Sequence, residues 1–195
     1  LLLIRSPEVI RLTMLDVGQA DAMVLEMPLG PALIIDTGKG RTDAQIVSAF
    51  TRHAGLDDVN VLLTHADRDH AGGMIHLIQD MDVPHSYASF EESGIDLSPI
   101  RAGQTWAVKD PYRIYVLHPP GRGSDNTHSV VILLAAPGLR ILLMGDADMR
   151  AEQAILQRYD EINRIQSGDH FHTFRTGVYR RLAARICRSE EHTSE

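Results

Sequence analysis

LLTHADRDHAGG, Leu62 to Gly73, closes an apolar run and then sets His65, Asp67, Asp69 and His70 within six residues. Ionisable side chains that close repel one another or must be desolvated together unless a cation holds them. A lone histidine or aspartate at a strand end is normally a cap or a surface group. Two of each in one short segment have the density, and the mix of imidazole and carboxylate, that suits zinc, manganese or iron. His65 and Asp67 are two residues apart, so extended backbone points them the same way. Asp69 and His70 are adjacent and cannot share that direction, so the chain must turn between the pairs. A turn presenting two pairs suits two metal ions better than one. Gly72 and Gly73 let the backbone pass close behind and open a helix.

Two other apolar runs end in the same manner. Asp36 follows Ala32–Ile35 (ALII), and Asp146 follows Ile141–Met144 (ILLM). Strand ends on one edge can bring such distant residues into a single cleft on a rigid platform. Alternating or continuous apolar stretches predict strands over Val9–Leu15, Ala22–Glu26, Ala32–Ile35, Val59–Leu63, Pro111–Leu117, Ser129–Ala135 and Leu139–Met144. Pro28-Leu29-Gly30-Pro31 and Pro137-Gly138 are turn sequences that make hairpins of the strands they join. Helical spacing predicts helices over Thr42–His53, Gly73–Met81 and Ala151–Tyr159. Leu97–Trp106 and His118–His128 read as loops. Strands that stop in polar loops, with helices starting after them, give an α/β chain of two sheets covered by helices. Asp16 and Asp21, around Gly18 and Gln19, read as supporting loop residues. His53, His76 and His85 read as structural or solvent-facing. Gly38-Lys39 resembles the tail of a phosphate-binding loop, but Leu33 stands where its first glycine belongs and Gly40 replaces the Ser or Thr.

The chain has 195 residues, 44% of them apolar, enough for one domain with a real core. Its net charge of -7 is unlike that of a general nucleic-acid binder. Cys187 is the only cysteine, so an internal disulfide is excluded. The opening LLLI run is too short to span a bilayer. It lacks a basic region and a cleavage pattern, so it is no signal peptide as it stands. The first residue is Leu1, and the chain reads as an excerpt of something longer, with room for membrane segments before it.

THADRDHAGG at 64–73, IIDTG at 34–38 and LLMGDAD at 142–148 resemble the metallo-β-lactamase superfamily. LDVGQADA at 15–22, HPP at 118–120, DNTHSVVILL at 125–134 and the GDAD segment look like the C-terminal domain of ComEC-type DNA-internalisation proteins of natural competence. The resemblance implies an αβ/βα four-layer sandwich with a dinuclear metal cleft on one edge. It implies that His65 and Asp67 serve one metal, that Asp69 and His70 serve the other, and that Asp146 bridges them. The Asp67 position is a histidine in most of the superfamily. Aspartate there favours a harder ion, so Mn²⁺ stands beside Zn²⁺. The third ligand of the first site is open between Asp125, Asn126 and His128. His170 lies where the final ligand usually stands, with His172 as fallback, although QSGDHFHTFRTG replaces the usual His-His-Gly-Ser. Asp36 is a candidate partner for the second ring nitrogen of a ligand histidine.

The implied activity is hydrolysis by a metal-activated water between Asp69 and Asp146, on phosphodiesters of DNA during competence-linked uptake. Two alternatives stand beside it. One is a metallo-hydrolase of a small ester, lactam, thioester or nucleotide. The other is a degenerate, non-catalytic domain of a membrane DNA channel. The expected setting is a soluble domain of a bacterial inner-membrane protein, or the cytoplasm for a stand-alone chain. The expected extent is a single domain over 1–187, atypical over 163–187 and truncated at its C-terminal end. RSEEHTSE at 188–195 reads as a non-native tail.

Overall fold

The computed structural model describes residues 9–28, 30–109, 111–157 and 170–174, with 107–109 and 170–174 described by their backbone alone. The chain divides into two compact units, Leu1–Pro99 and Ile100–Glu195.

The first unit contains β1 (Arg11–Met14), β2 (Met23–Glu26), β3 (Ala32–Ile35), α1 (Arg41–His53), β4 (Val59–Leu62), α2 (Arg68–Ala71), α3 (Met74–Asp80), β5 (Ser86–Ala88) and β6 (Ser98–Pro99). Its sheet runs β1-β2-β3-β4-β5-β6. The first three strands are antiparallel, and β3 to β6 are parallel. Register sets Val24 beside Ile34 and Ile34 beside Val61, so these residues share one face. That face packs with Ala44 and Val47 of α1 and with Met74 and Leu77 of α3 in one core. All four residues of β3 are buried, as expected of a strand covered on both faces.

The second unit contains β7 (Thr105–Lys109), β8 (Tyr112–His118), β9 (Val131–Ala136), β10 (Leu139–Leu143), α4 (Met149–Gln157) and β11 (His170–Phe174). Its sheet runs β11-β10-β9-β8-β7, antiparallel except for the parallel β10–β11 pair. Leu133 faces Leu142 across β9 and β10, and both pack with Ala151 and Ile155 of α4. Asp148 caps α4. Its Oδ1 accepts the N–H groups of Arg150 and Ala151 at 2.9 and 3.0 Å, and its Oδ2 accepts the Thr127 hydroxyl at 3.1 Å. A helix N-terminus carries unsatisfied N–H groups, and an aspartate there supplies the acceptor.

The apolar strands and both predicted hairpins lie where periodicity and turn residues put them. The short polar strands β5 and β6 and most of β7 carry no such pattern. β11 forms where no strand was expected, paired to β10 over Leu139–Leu143. The atypical segment apart from β11, Cys187 and the proposed tail lie outside the described residues. Among the described residues, no helix is long and apolar enough to cross a membrane.

The Asp148 carboxyl is held below its ordinary pKa, chiefly by the hydrogen bond from the Ala151 N–H. A depressed folded-state pKa means that its contribution is present above the unfolded value and fades as pH falls through the folded one. Asp148→Ala is expected to lower stability by about 1 kcal/mol near neutral pH. In chemical denaturation, the gap from the parent chain should shrink below about pH 4.

Candidate metal centre

β3 and β4 are parallel neighbours, so Asp36 and His65 leave the sheet at the same edge. The last bond between these strands runs from the Asp36 N–H to the Leu62 carbonyl at 2.9 Å. Asp36 then turns to φ 61, the left-handed region that a short polar side chain tolerates better than most. This turn sets its carboxylate against the start of the histidine loop. Oδ1 accepts the Thr64 N–H at 2.8 Å, and Oδ2 accepts the Thr64 hydroxyl at 2.7 Å. Oδ2 also lies 2.8 Å from Nδ1 of His70.

The direction of these bonds decides which nitrogens can meet a metal. A carboxylate only accepts, so His70 donates through Nδ1–H and keeps its lone pair on Nε2. The single Thr64 hydroxyl hydrogen goes to Asp36. The Thr64 oxygen therefore accepts from Nδ1–H of His65, 3.1 Å away. His65 too keeps its lone pair on Nε2. Asp36, Thr64, His65 and His70 are all buried. The two imidazole rings stand 4.1 Å apart between centroids, and ligand nitrogens of the two lie within 4.8 Å of each other. Two neutral imidazoles locked in one tautomer, with their rings side by side, fit a divalent cation.

Carboxylates stand on the Nε2 side of both rings. Asp67 Oδ2 lies 3.4 Å from His65 Nε2, and Asp21 Oδ2 lies 3.5 Å from His70 Nε2. Asp69 is exposed on α2, and its carbonyl accepts the Asp21 N–H at 3.0 Å. The loops are stitched together by main-chain bonds from Thr37 N to His70 O at 2.8 Å and from Gly73 N to Gly38 O at 2.9 Å. A Cβ on Gly73 would fall 2.0 Å from the Thr37 carbonyl oxygen, so only glycine allows this approach.

The second unit groups the remaining candidates. Asp125 Oδ1 pairs with His128 Nδ1 at 2.6 Å, and that hydrogen bond is the main cause of the lowered Asp125 pKa. Asn126 and His128 lie in a single 3-10 turn beside α4. The Asp146 N–H donates to Ser129 Oγ at 3.1 Å, which ties the DNTHS loop to the GDAD loop. His170 begins β11 opposite Leu139, whereas Phe174 stands opposite Leu143, the end of β10 that leads to Asp146. The side chain of His170 lies outside the described residues. Reading the sequence overlooked Thr64 as the link between Asp36 and His65, and it treated Asp21 only as loop support. The signal for both was adjacency: Thr64 precedes His65, and Asp21 lies within the LDVGQADA motif.

The model of the metallo-β-lactamase superfamily matches residues 15–93, which hold all of these loops of the first unit. Over these residues the chain resembles the metallo-β-lactamase superfamily. It is 32% identical over 162 residues to the uncharacterized protein YcaI of Escherichia coli, covering 78% of this chain and 21% of that protein. With ComE operon protein 3 of Bacillus subtilis it shares 25% identity, over 76% of this chain and 24% of the relative. An atrochrysone carboxyl ACP thioesterase of Passalora fulva is 34% identical over 118 residues, 58% of this chain and 34% of its own length. The chain thus spans about a fifth to a third of these relatives. The fold matches that of the BLEG-1 B3 metallo-β-lactamase with TM-score 0.56 and 14% identity, over 86% of this chain and 92% of the other.

Thr64→Val keeps the shape and removes the hydroxyl that orients His65. Orienting partners of this kind are worth about 10- to 100-fold in metal affinity. Titration of the apo chain with Zn²⁺ is expected to show a loss of that size, with the circular dichroism spectrum unchanged.

Proposed function

We propose that this chain is the hydrolytic domain of a longer ComEC-type protein and cleaves phosphodiester bonds of DNA with two divalent cations, Mn²⁺ or Zn²⁺. The observation that carries the reading is the Asp36–Thr64 network, which holds the proton of both buried imidazoles on Nδ1. A histidine acting as a general acid or base must exchange its proton during turnover. A pair held in one tautomer suits ligation instead.

In this reading His65 and Asp67 hold one cation and His70 with Asp69 holds the other. Asp146, whose N–H donates to Ser129, would serve both, and Asp125, Asn126 or His128 would complete the first set. Bound there, two divalent ions would acidify a water to near neutrality and neutralise charge on the phosphodiester. The surrounding carboxylates of Asp21, Asp67 and Asp69 would repel a polyanion on their own, so DNA binding in the cleft depends on cations. Asp36 and Thr64 keep the imidazoles from rotating as substrate enters. Attachment to membrane segments before Leu1 belongs to the same proposal and rests on the resemblance of LDVGQADA, DNTHSVVILL and GDAD to ComEC-type proteins.

A second reading, hydrolysis of a thioester or similar small substrate, is favoured by the thioesterase relative. The two separate in one assay. The chain with Mn²⁺ is given a DNA oligonucleotide or an acyl thioester, with and without EDTA. DNA cleavage that EDTA abolishes is the expected result, and Asp146→Ala should reduce it at least about 100-fold. Thioester hydrolysis without DNA cleavage selects the second reading. DNA cleavage that persists in Asp146→Ala ends the first.

A further inference from the structure

We propose that Asp21 is itself a metal-binding residue, sharing the cation held by His70. This deepens the dinuclear reading above and rests on it. The main chain of Asp21 is fixed from both sides. Its N–H donates to the Asp69 carbonyl at 3.0 Å, and its carbonyl accepts the Gly38 N–H at 2.9 Å. The loop before β2 is thereby fastened to both motif loops, and the Asp21 side chain is held over His70.

The distance is the telling quantity. Asp21 Oδ2 lies 3.5 Å from His70 Nε2, longer than an N–H···O hydrogen bond of about 2.7 to 3.2 Å. Two ligand atoms each about 2.1 Å from a cation lie about 3.0 Å apart in octahedral and about 3.4 Å apart in tetrahedral coordination, so a spacing near 3.5 Å leaves room for an ion to draw them slightly inward. The same spacing recurs on the other histidine, with Asp67 Oδ2 3.4 Å from His65 Nε2. The two histidines thus carry equivalent carboxylates, one from within the motif and one from the LDVGQADA loop.

The competing explanation is an ion pair. His70 already donates from Nδ1 to Asp36, so pairing with Asp21 would need a doubly protonated, buried imidazolium between two carboxylates. Asp16 supplies the control. It is exposed and accepts the Gly18 N–H at 3.3 Å within its own turn. The two bonds that fasten Asp21 to Asp69 and Gly38 are main-chain bonds, so substitution of the side chain leaves them in place.

The test is equilibrium dialysis of the full chain against Mn²⁺ with metal analysis, together with Mn²⁺ electron paramagnetic resonance. The expected result is two ions in the parent and in Asp16→Asn. Asp21→Asn should hold one ion as before, bind the second at least tenfold more weakly and lose the spin-coupled signal. Asp21→Glu, which keeps a carboxylate, should recover part of it. Unchanged binding of two ions by Asp21→Asn overturns the assignment while leaving the dinuclear reading intact. Unchanged metal binding with a lowered His70 pKa by NMR overturns it in favour of the ion pair. A parent chain that binds no ion overturns both readings.

Discussion

The Asp36 carboxylate is the joint on which the first unit's site depends. It is fully buried, and a buried charge is tolerable only when its oxygens are hydrogen-bonded. Thr64 supplies two donors and His70 a third. One group therefore orders the start of the histidine loop, the tautomer of His70 and, through the Thr64 hydroxyl, the tautomer of His65. The left-handed backbone at Asp36 is the local strain that makes this reach possible. An apolar residue there would leave Thr64 and both rings without the acceptor that fixes their directions, and an amide would supply only one of the two accepting oxygens.

The loops are held by backbone as much as by side chains. Parallel β3 and β4 deliver the IDTG and THADRDHAGG segments to one edge, where ligands of open α/β sheets commonly bind. Thr37, Gly38, His70 and Gly73 then bond main chain to main chain, and Asp21 adds a third loop to the seam. Rigid backbone under a metal site keeps its ligands within the narrow geometry that coordination requires. The second unit repeats the principle with different residues. Ser129 fastens the Asp146 loop, and Thr127 and Asp148 join the DNTH turn to the start of α4.

The acidic balance of the chain now has a physical meaning. A net charge of -7, with aspartates lining the histidine pair, disfavours a bare polyanion and favours small, hard cations. In the proposed reading, a phosphate-bearing substrate would meet the cations first. That requirement separates a cation-dependent nuclease from a basic-groove binder, which would hold nucleic acid by lysine and arginine alone.

Much of this was legible in residue order. The apolar runs, the Pro-Gly turns and the helical spacing of Ala44, Val47, Met74 and Leu77 mark strands and helices because burial has a period. The density of His65, Asp67, Asp69 and His70 points to a cation site because ionisable groups so close repel one another unless a cation holds them. The short strands β5 and β6 escaped notice because pairing with a neighbour, rather than their own pattern, makes them strands. β11 was missed for the same reason. Tertiary structure alone decided that Asp36 would act on His70 directly and on His65 through Thr64, and that Asp21 would stand over His70. Hydrogen-bond direction and a spacing near 3.5 Å belong to loops folded against one another, and linear order does not encode them.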